Sequence, residues 1–476
     1  MNPTSVITPT PNASAKLGRV TSVDTARSEH AEDTADIIKS LDLALRVGEM
    51  LLSNGAGAAD VAATMDSILR YLGLRGADVD VTYTALTVAH QTDPDDPMLV
   101  RRRNVQQRDV DYEDLTRVDH LVTALLLGRI SRDEARAELA RIVSSGHARP
   151  RWAITLGWGA LALGIGMLLG GGPLVLIIAL AAGIGLDQLL KLLSRWRLPL
   201  IYQQMAGGLL ATLLAVGLAA TPLPLSPSLV VSAAIIVLLA GLGFIGAAQD
   251  ALTGFYLTAA ARILEVLMAT AGIIVGVSGG LSVGRVLGVE LSLTPGAAGL
   301  ADVPGMLIGA ALCAVAFGFV AYTPIRALWP IGLIAAIGEA VAYFLQAQGF
   351  GRPWASAVAA IGIGVVSYGL AGRVRVPPLV IVVSAITPFL PGLSIYRALS
   401  LFTLGDSAGL VDFVTAAGVA IALASGVILG EYIAQPLRRE ARKLEGRLSG
   451  PRLVGPLRLR TLRRRAKEES ADSDGE

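Results

Sequence analysis

The sequence is poor in charge, cysteine and histidine. Only 16% of its 476 residues are charged, whereas 53% are apolar and 53 are glycines, a balance that soluble proteins of this length do not normally show. The one cysteine, Cys313, lies in an apolar segment, so an internal disulfide is excluded and a packing role is expected. The net charge of +2 gives no reason to expect a nucleic-acid partner. These deficits favour a membrane protein.

Three further features are missing. The first 20 residues contain no apolar core of a signal peptide, so the N-terminal region is expected to stay in the cytoplasm. No phosphate-binding loop is present, which argues against transport driven by ATP. A histidine proton relay within the membrane is excluded, because every histidine precedes the apolar region: His30, His90, His120 and His147. We expect no cofactor and no metal site.

The apolar content lies in segments of about 17–25 residues, long enough to cross a hydrocarbon core of roughly 30 Å. We predict about ten transmembrane helices, at 153–170, 174–190, 198–220, 228–248, 262–284, 304–323, 328–346, 354–372, 377–399 and 411–434. An even number of spans returns both termini to the same side. Basic residues concentrate in alternate short loops, for example Arg195 and Arg373, and in the C-terminal tail. Because such residues stay on the cytoplasmic face, both termini are predicted to be cytoplasmic.

The sequence weakly matches itself at a shift of about 151 to 154 residues, which pairs Pro199 with Pro353 and Pro227 with Pro378. Spans 1–5 then correspond to spans 6–10, and an odd number of spans per half makes the repeat inverted, as in many secondary transporters. The predicted organisation is a disordered tail over 1–35, a small α+β domain over 36–150, transmembrane repeats over 152–288 and 303–435, and a basic cytoplasmic tail over 436–476.

Span 9 carries a predicted helix break at Pro388, Pro391 and Gly392. These residues remove backbone donors or relax the chain in the middle of a membrane segment, which is tolerated only against protein or a water-lined cavity. The break could be a simple packing kink, or it could form part of a substrate site. The polar candidates that flank it are Ser384, Thr387, Tyr396 and Arg397.

In the N-terminal domain, the residue pattern predicts helices over 37–53, 58–72, 111–128 and 131–144. One strand is predicted over 78–90, paired with a second over 98–103. A possible metal or hydrolytic cluster in the connection between the strands is better interpreted as a solvated turn, because its spacing matches no known motif: His90, Asp93, Asp95 and Asp96.

Several stretches resemble the threonine/serine exporter family. In the apolar region they are QDALTGFYLTAAARILE (249–265), ITPFLPGLSIYRAL (386–399) and VILGEYIA (427–434), and in the N-terminal region LRVGEMLLSNGA (45–56) and YLGLRGADVDVTYTAL (71–86). The resemblance runs from about residue 36 to 434. It implies a multi-pass exporter of threonine and serine, driven by the proton motive force, with a cytoplasmic N-terminal domain. Relatives with the two halves on separate chains are associated with dicarboxylate export.

The first of these stretches holds the ionisable residues that we single out for substrate binding. An amino-acid zwitterion needs an acidic partner for its ammonium group and a cationic partner for its carboxylate. We predict that the substrate is bound by these residues together with the polar candidates of span 9. The residues of this stretch are Gln249, Asp250, Thr253, Arg262 and Glu265. Arg262 and Glu265 are spaced for an intrahelical ion pair, although both could also lie in the headgroup zone.

The proton could be carried by Glu339, Asp250 or Glu265. Glu339 lies near the middle of span 7, where an ionisable side chain costs at least about 2.5–3.5 kcal/mol and so suggests a function. The alternative for Glu339 is a structural, hydrogen-bonded role.

We therefore predict that the protein is not an enzyme but a proton-coupled exporter in the cell membrane. Its expected partners are threonine, serine, protons and the lipid bilayer, and its oligomeric state is left open. Three alternatives stay open: an exporter of small carboxylates such as succinate, a membrane-anchored hydrolase acting through the N-terminal domain, and a passive channel.

Overall fold

The structure is a computed structural model. It describes residues 34–105, 110–147, 149–221, 227–238, 241–289, 303–391 and 407–445, together with residues 394, 395, 397, 398 and 401. The tail predicted over 1–35 therefore lies outside the described residues up to residue 33, and the basic tail predicted over 436–476 lies outside them from residue 446.

The N-terminal region combines four helices with a three-stranded sheet. The elements are α1 (34–53), α2 (Ala58–Tyr71), β1 (Asp78–Val81), β2 (Ala85–His90), β3 (Leu99–Asn104), α3 (Tyr112–Leu126) and α4 (Arg132–Ser144). The sheet is antiparallel in the order β1-β2-β3, and Val81 pairs with Leu86 while Ala85 pairs with Asn104. The single strand predicted over 78–90 was wrong, because the chain turns at residues 82–84 and forms a hairpin within that segment.

Local capping explains where the later helices begin. Asp111 accepts hydrogen bonds from the amides of Glu113 and Asp114, both at 2.9 Å, and so caps α3. Ser131 and Glu134 form a capping box at the start of α4. The apolar faces of the helices meet in one core, which contains the fully buried side chains of Leu41, Met65 and Leu125.

The rest of the described chain is a bundle of long apolar helices. They are α5 (Arg151–Leu168), α6 (Pro173–Arg195), α7 (Leu200–Ala219), α8 (Pro227–Leu238), α9 (Gly241–Leu252), α10 (Tyr256–Val286), α11 (Val303–Val320), α12 (Ile325–Ala347), α13 (Arg352–Val374), α14 (Pro378–Ile386) and α15 (Ala408–Glu445). A short 3₁₀ helix, Thr387–Phe389, follows α14.

Within the described residues, eight helices are long and apolar enough to cross a membrane, and the number rises to nine if α8 and α9 form one span bent by 48°. Of the ten predicted spans, span 4 is therefore a bent pair of helices, and span 9 is represented by the shorter apolar helix Pro378–Phe389. Three boundaries also differ from the prediction by five residues or more. Helix α6 continues to Arg195 instead of ending at 190, α10 begins at Tyr256 instead of 262, and α15 continues to Glu445 instead of ending at 434.

Small residues let some helices pack backbone to backbone. On α10, a Cβ added at Gly276 would collide with the carbonyl oxygen of Met205 on α7. On α15, a Cβ added at Gly430 would lie 2.6 Å from the carbonyl oxygen of Ile361 on α13. Such close contact between small residues is typical of helix association in membranes, where dispersion forces replace the hydrophobic effect.

The N-terminal domain is joined to the bundle at the link between α11 and α12. The Tyr112 amide donates to the Ala321 carbonyl at 2.8 Å, and the Arg149 guanidinium donates to the Phe319 carbonyl at 2.6 Å. The His147 ring stacks on Tyr322 with 4.0 Å between centroids. The start of α3 is therefore fixed against the membrane helices by backbone and aromatic contacts.

Candidate functional site

The first predicted cluster lies where the N-terminal domain meets α9 and α10. Asp250, the most buried carboxylate there, accepts a hydrogen bond from the Ala58 amide at 3.0 Å. Its other oxygen pairs with Arg262, with 3.1 Å between the Arg262 Nε and Asp250 Oδ2 atoms. Arg262 also donates to the Ala56 carbonyl at 3.4 Å. Two membrane-helix side chains thus hold the turn between α1 and α2.

A second contact joins the β1–β2 turn to the start of α10. The Thr258 hydroxyl donates to the Val81 carbonyl at 3.4 Å, and the Tyr83 hydroxyl donates to the Glu265 carboxylate. The predicted ion pair between Arg262 and Glu265 is therefore wrong. Each residue has a different partner, because the N-terminal domain supplies a phenol for Glu265 and α9 supplies a carboxylate for Arg262.

A cavity of about 260 Å³ lies within this interface. Gln249, Arg262 and Glu265 line it from the membrane helices, and Tyr83 lines it from the N-terminal domain. Thr253, which was predicted with them, is exposed and donates to the Gln249 carbonyl of its own helix at 2.9 Å. The structure brings three of the predicted residues to one cavity, with Asp250 beside Arg262, but leaves Thr253 out.

Asp60 brings a further carboxylate to this interface. It lies on the first turn of α2, where a Cβ added at Gly57 would approach Asp250 to 3.7 Å and both Asp60 and Gln249 to 3.8 Å. Loss of hydration, followed by the negative charges of Glu431 and Asp250, raises the pKa of Asp60 to about 6. Since Asp60 is exposed to solvent, water screens part of this repulsion.

The predicted helix break follows α14. Pro388 lies in the 3₁₀ turn and Pro391 follows it in irregular backbone, while Gly392 and Tyr396 lie outside the described residues. Thr387 donates to the Val383 carbonyl at 3.0 Å. Ser384 is fully buried, and its hydroxyl has no hydrogen-bond partner within the described ranges. Arg397 is exposed.

The larger cavity, about 430 Å³, lies among the membrane helices. Its walls come from α5 to α8 and from α11. The cavity also reaches Leu238, where α8 ends, and Thr387 and Leu390, at the break that follows α14. Much of the surface is apolar, formed by side chains such as Trp158 and Phe317. This combination of an apolar wall and a few polar groups is typical of small-molecule sites.

The polar groups of this cavity come mainly from α6 and α7. Lys191 and Asp187, one turn apart on α6, form an ion pair with 2.6 Å between Nζ and Oδ2. Lys191 also donates to the Thr155 hydroxyl at 2.9 Å, and Gln188 donates to the same hydroxyl at 3.0 Å. Gln204 of α7 lines the cavity, and its amide oxygen is buried without a hydrogen-bond partner among the described residues. The cavity therefore offers groups of both charge signs.

The chain is similar to proteins of known family. Two models of one family match the chain: "Putative threonine/serine exporter" over residues 42–284 and "Threonine/Serine exporter, ThrE" over residues 306–433. The "Probable threonine/serine exporter" of Mycobacterium tuberculosis is 37% identical over 437 residues, which cover 90% of this chain and 82% of the relative. The chain belongs to the threonine/serine exporter family.

The "Threonine/serine exporter" of Corynebacterium glutamicum is a second relative, 32% identical over 443 residues that cover 89% of this chain and 90% of the relative. No solved structure matches the chain. The resemblance inferred from the sequence is therefore confirmed across both the N-terminal region and the apolar bundle.

Glu339 lies in the middle of α12 and is half-buried. It interacts electrostatically with Arg352 at the start of α13, and Arg352 donates to the Ser394 hydroxyl at 3.2 Å. Glu339 also lies close enough to Cys313, a lining residue of the larger cavity, for an electrostatic interaction. The predicted proton site is thus separate from the Asp250 cluster but close to the larger cavity.

The N-terminal domain carries two other groups of possible ligands. In the β2–β3 connection His90 is buried, Asp93 and Asp95 are exposed, and Asp96 is half-buried. Asp111, Asp114 and His147 could hold a metal ion by distance. However, Asp111 already caps α3 and pairs with His147, with 3.0 Å between Oδ2 and Nε2. The closeness of Asp111, Asp114 and His147 is therefore explained by the capping of α3 and by the Asp111–His147 pair.

Asp187, Lys191 and Gln204 were missed as site residues. Lys191 was interpreted only as a basic residue after span 2, because the span was ended at 190. The signal was nevertheless present: an Asp and a Lys four residues apart within an apolar helix are spaced to pair on one face, and ionisable residues in such segments usually have a function.

Proposed function

We propose that this protein exports threonine and serine across the cell membrane. Both relatives carry that activity in their names. The observation that supports it most is the larger cavity among the membrane helices, which places an ion pair against apolar walls together with an amide oxygen that has no hydrogen-bond partner among the described residues. A small zwitterion with a short polar side chain complements such a lining.

The proposed architecture is ten spans in two inverted repeats behind a small α+β domain. Packing supports it: α7 packs along α10 as α13 does along α15, and α5 packs on α6 and α8 as α11 does on α12 and α14. The two interruptions also correspond, because a shift of 151 residues carries Leu238, the end of α8, onto Phe389, the end of the 3₁₀ turn. This correspondence agrees with the repeat expected from the sequence.

The proposed driving force is the proton motive force, with Glu339 as the proton carrier. Its place beside the cavity lining and near Arg352 supports this assignment. Both termini are proposed to be cytoplasmic, so that the N-terminal domain lies at the entrance for outgoing substrate. Its hydrogen bonds to Asp250, Thr258 and Glu265 suit it to regulate access from that side.

The experiment is transport by the purified full-length protein in proteoliposomes. Vesicles are loaded with labelled threonine or serine, and release is followed with and without an imposed pH gradient, in competition with unlabelled succinate. Empty liposomes provide the control. Gradient-stimulated release of threonine and serine that succinate does not inhibit would support the proposal.

The same assay separates the alternatives. Flux of succinate alone would favour a carboxylate exporter, and threonine flux indifferent to a protonophore would favour a passive channel. Absence of any flux, with hydrolytic activity that depends on His90 or Asp93, would favour the membrane-anchored hydrolase. No contact described in the structure favours these readings over amino-acid export.

A further inference from the structure

The larger cavity is lined by Asp187, Lys191 and Gln204, which we call the polar cluster. Thr155 does not line the cavity but accepts a hydrogen bond from Lys191. Asp187 lies eight residues before Arg195, the last residue of α6, so it is roughly 12 Å from that end of the helix at 1.5 Å per residue. Its side chain is 6% exposed, whereas that of Lys191 is 40% exposed and lines the cavity. The buried member of this pair is the Asp187 carboxylate, and a charge is costly to bury within an apolar helix and is commonly retained there for function.

Two groups of the cluster have unused hydrogen-bonding capacity. An ammonium group has three N–H donors, and Lys191 uses two of them, toward Asp187 and Thr155. The third has no protein acceptor among the described residues. The amide oxygen of Gln204 is likewise unpaired in that part of the chain, although Gln204 is only 7% exposed. A buried polar atom without a partner is unfavourable unless water or a ligand satisfies it.

We infer that Asp187, Lys191 and Gln204 form the substrate site of the exporter, and that it takes the zwitterion of a small hydroxylated amino acid. This inference rests on the proposed export of threonine and serine. Lys191 binds the substrate carboxylate, Asp187 binds the ammonium group, and the Gln204 amide oxygen accepts the hydrogen bond of the side-chain hydroxyl. The substrate thereby replaces one ion pair by two.

Charge balance favours this class of ligand. The pair of Asp187 and Lys191 has no net charge, and neither has an amino-acid zwitterion, so the loaded and empty sites are both neutral. A dicarboxylate would bring two negative charges to one lysine and would also approach Asp187. Because uncompensated charge is costly within a membrane bundle, the site discriminates against succinate. It discriminates against amino acids without a hydroxyl group because they leave the Gln204 amide oxygen unpaired.

The test measures binding of labelled L-threonine to the purified full-length protein, together with threonine counterflow in proteoliposomes. Asp187→Asn and Lys191→Gln are each expected to weaken threonine binding at least tenfold, the scale of losing one partner of a buried charge pair. Gln204→Met is expected to reduce the preference for threonine over alanine by about tenfold. Threonine methyl ester, which lacks the carboxylate, and N-acetylthreonine, which lacks the ammonium group, should compete poorly in the wild type.

Two combined variants separate binding from folding. Asp187→Asn with Lys191→Gln removes both charges together, so no unpaired charge is left buried. Asp187→Lys with Lys191→Asp retains an ion pair but exchanges its ends. Both should reach the membrane and elute as folded protein, yet lose threonine binding. Asp66→Asn, in the exposed pair with Arg70 at the same spacing, and Gln346→Met, at an exposed glutamine, are the matched controls.

The outcomes are distinguishable. Wild-type threonine flux with full activity in the two combined variants would overturn this site and leave the proposed function intact. Unchanged selectivity in Gln204→Met would overturn the role assigned to the amide oxygen. If the wild type neither binds nor transports threonine while it transports succinate, both the site and the proposed function fail.

Discussion

The carboxylate of Asp250 accepts a 3.0 Å hydrogen bond from the Ala58 amide, 192 residues earlier in the chain. Ala58 is the first residue of α2, and its N-cap Gly57 provides no side-chain cap. The free amides at a helix start need an acceptor, and a negative charge there is further stabilised by the helix dipole. A membrane helix thus supplies the cap for a helix of the N-terminal domain.

This relationship predicts that Asp250→Ala loosens the N-terminal domain from the bundle. The variant removes a helix cap, which is worth about 1 kcal/mol, and leaves Arg262 without its buried partner, which costs about 3–5 kcal/mol. Hydrogen exchange should show faster exchange of the amides of residues 57–61. Asp250→Asn retains an oxygen acceptor and should show a smaller effect.

Ser131→Ala is the matched control, because it removes the cap of α4 within the N-terminal domain and touches none of the membrane helices. It should speed exchange at the start of α4 only. If Asp250→Ala left the amides of α2 as protected as in the wild type, the cap would contribute nothing to docking.

The raised pKa of Asp60 leads us to expect that docking of the N-terminal domain depends on pH. Its pKa is raised from the ordinary value of 3.8 to about 6 in the docked protein, so the docked form binds the proton more tightly than the free domain. Docking should therefore weaken as the pH rises from about 4 to about 6, and stay at its weaker level above that range. Asp60→Asn should remove the slope and keep docking strong at neutral pH.

A fluorophore pair on the two parts would follow this change without the pH dependence of exchange chemistry. Asp133→Asn, on the exposed first turn of α4, serves as control and should titrate like the wild type. A docking signal that rose with pH, or that was equally steep in Asp60→Asn, would contradict the prediction.

The sequence predicted the helices better than the contacts between them. Apolar segments of spanning length identified the bundle, since hydropathy indicates whether a segment is surrounded by lipid or water. In the N-terminal region, the helix end predicted at 53 and the helix start predicted at 131 lie within about one residue of those in the structure. The partners of Arg262 and Glu265 could not be found in this way. Tyr83, the partner of Glu265, lies 182 residues earlier on the N-terminal domain. Asp250, the partner of Arg262, lies on the preceding helix α9, and local spacing favoured the Arg262–Glu265 pair instead.

The close contact of α7 and α10 predicts that Gly276→Ala disturbs the bundle. The added methyl group would collide with the Met205 carbonyl oxygen, which is backbone and cannot rotate away. Overpacking of this kind typically costs about 1–3 kcal/mol, so the thermal midpoint of the detergent-solubilised protein should fall by several degrees. Gly279→Ala is the control, because its nearest neighbour, Leu209, would be at an ordinary 3.9 Å. Equal midpoints for the two variants would show that the helices can move apart.

The position of Glu339 leads us to expect that substrate movement and proton coupling can be separated by mutation. It stands on α12 near Arg352 and near the cavity lining at Cys313, whereas the ion pair that we assign to substrate lies on α6. Because glutamine retains the shape of the side chain but cannot release a proton, Glu339→Gln should keep threonine counterflow within about twofold of wild type while release ceases to respond to an imposed pH gradient.

Asp412→Asn, in the second turn of α15, is a control that changes a carboxylate elsewhere in the bundle. Persistent stimulation by the gradient in Glu339→Gln would exclude this residue as the proton carrier and direct the same test to Asp250 and Glu265. Loss of both counterflow and stimulation would show that the carboxyl group is needed for substrate movement as well, and the predicted separation would be wrong.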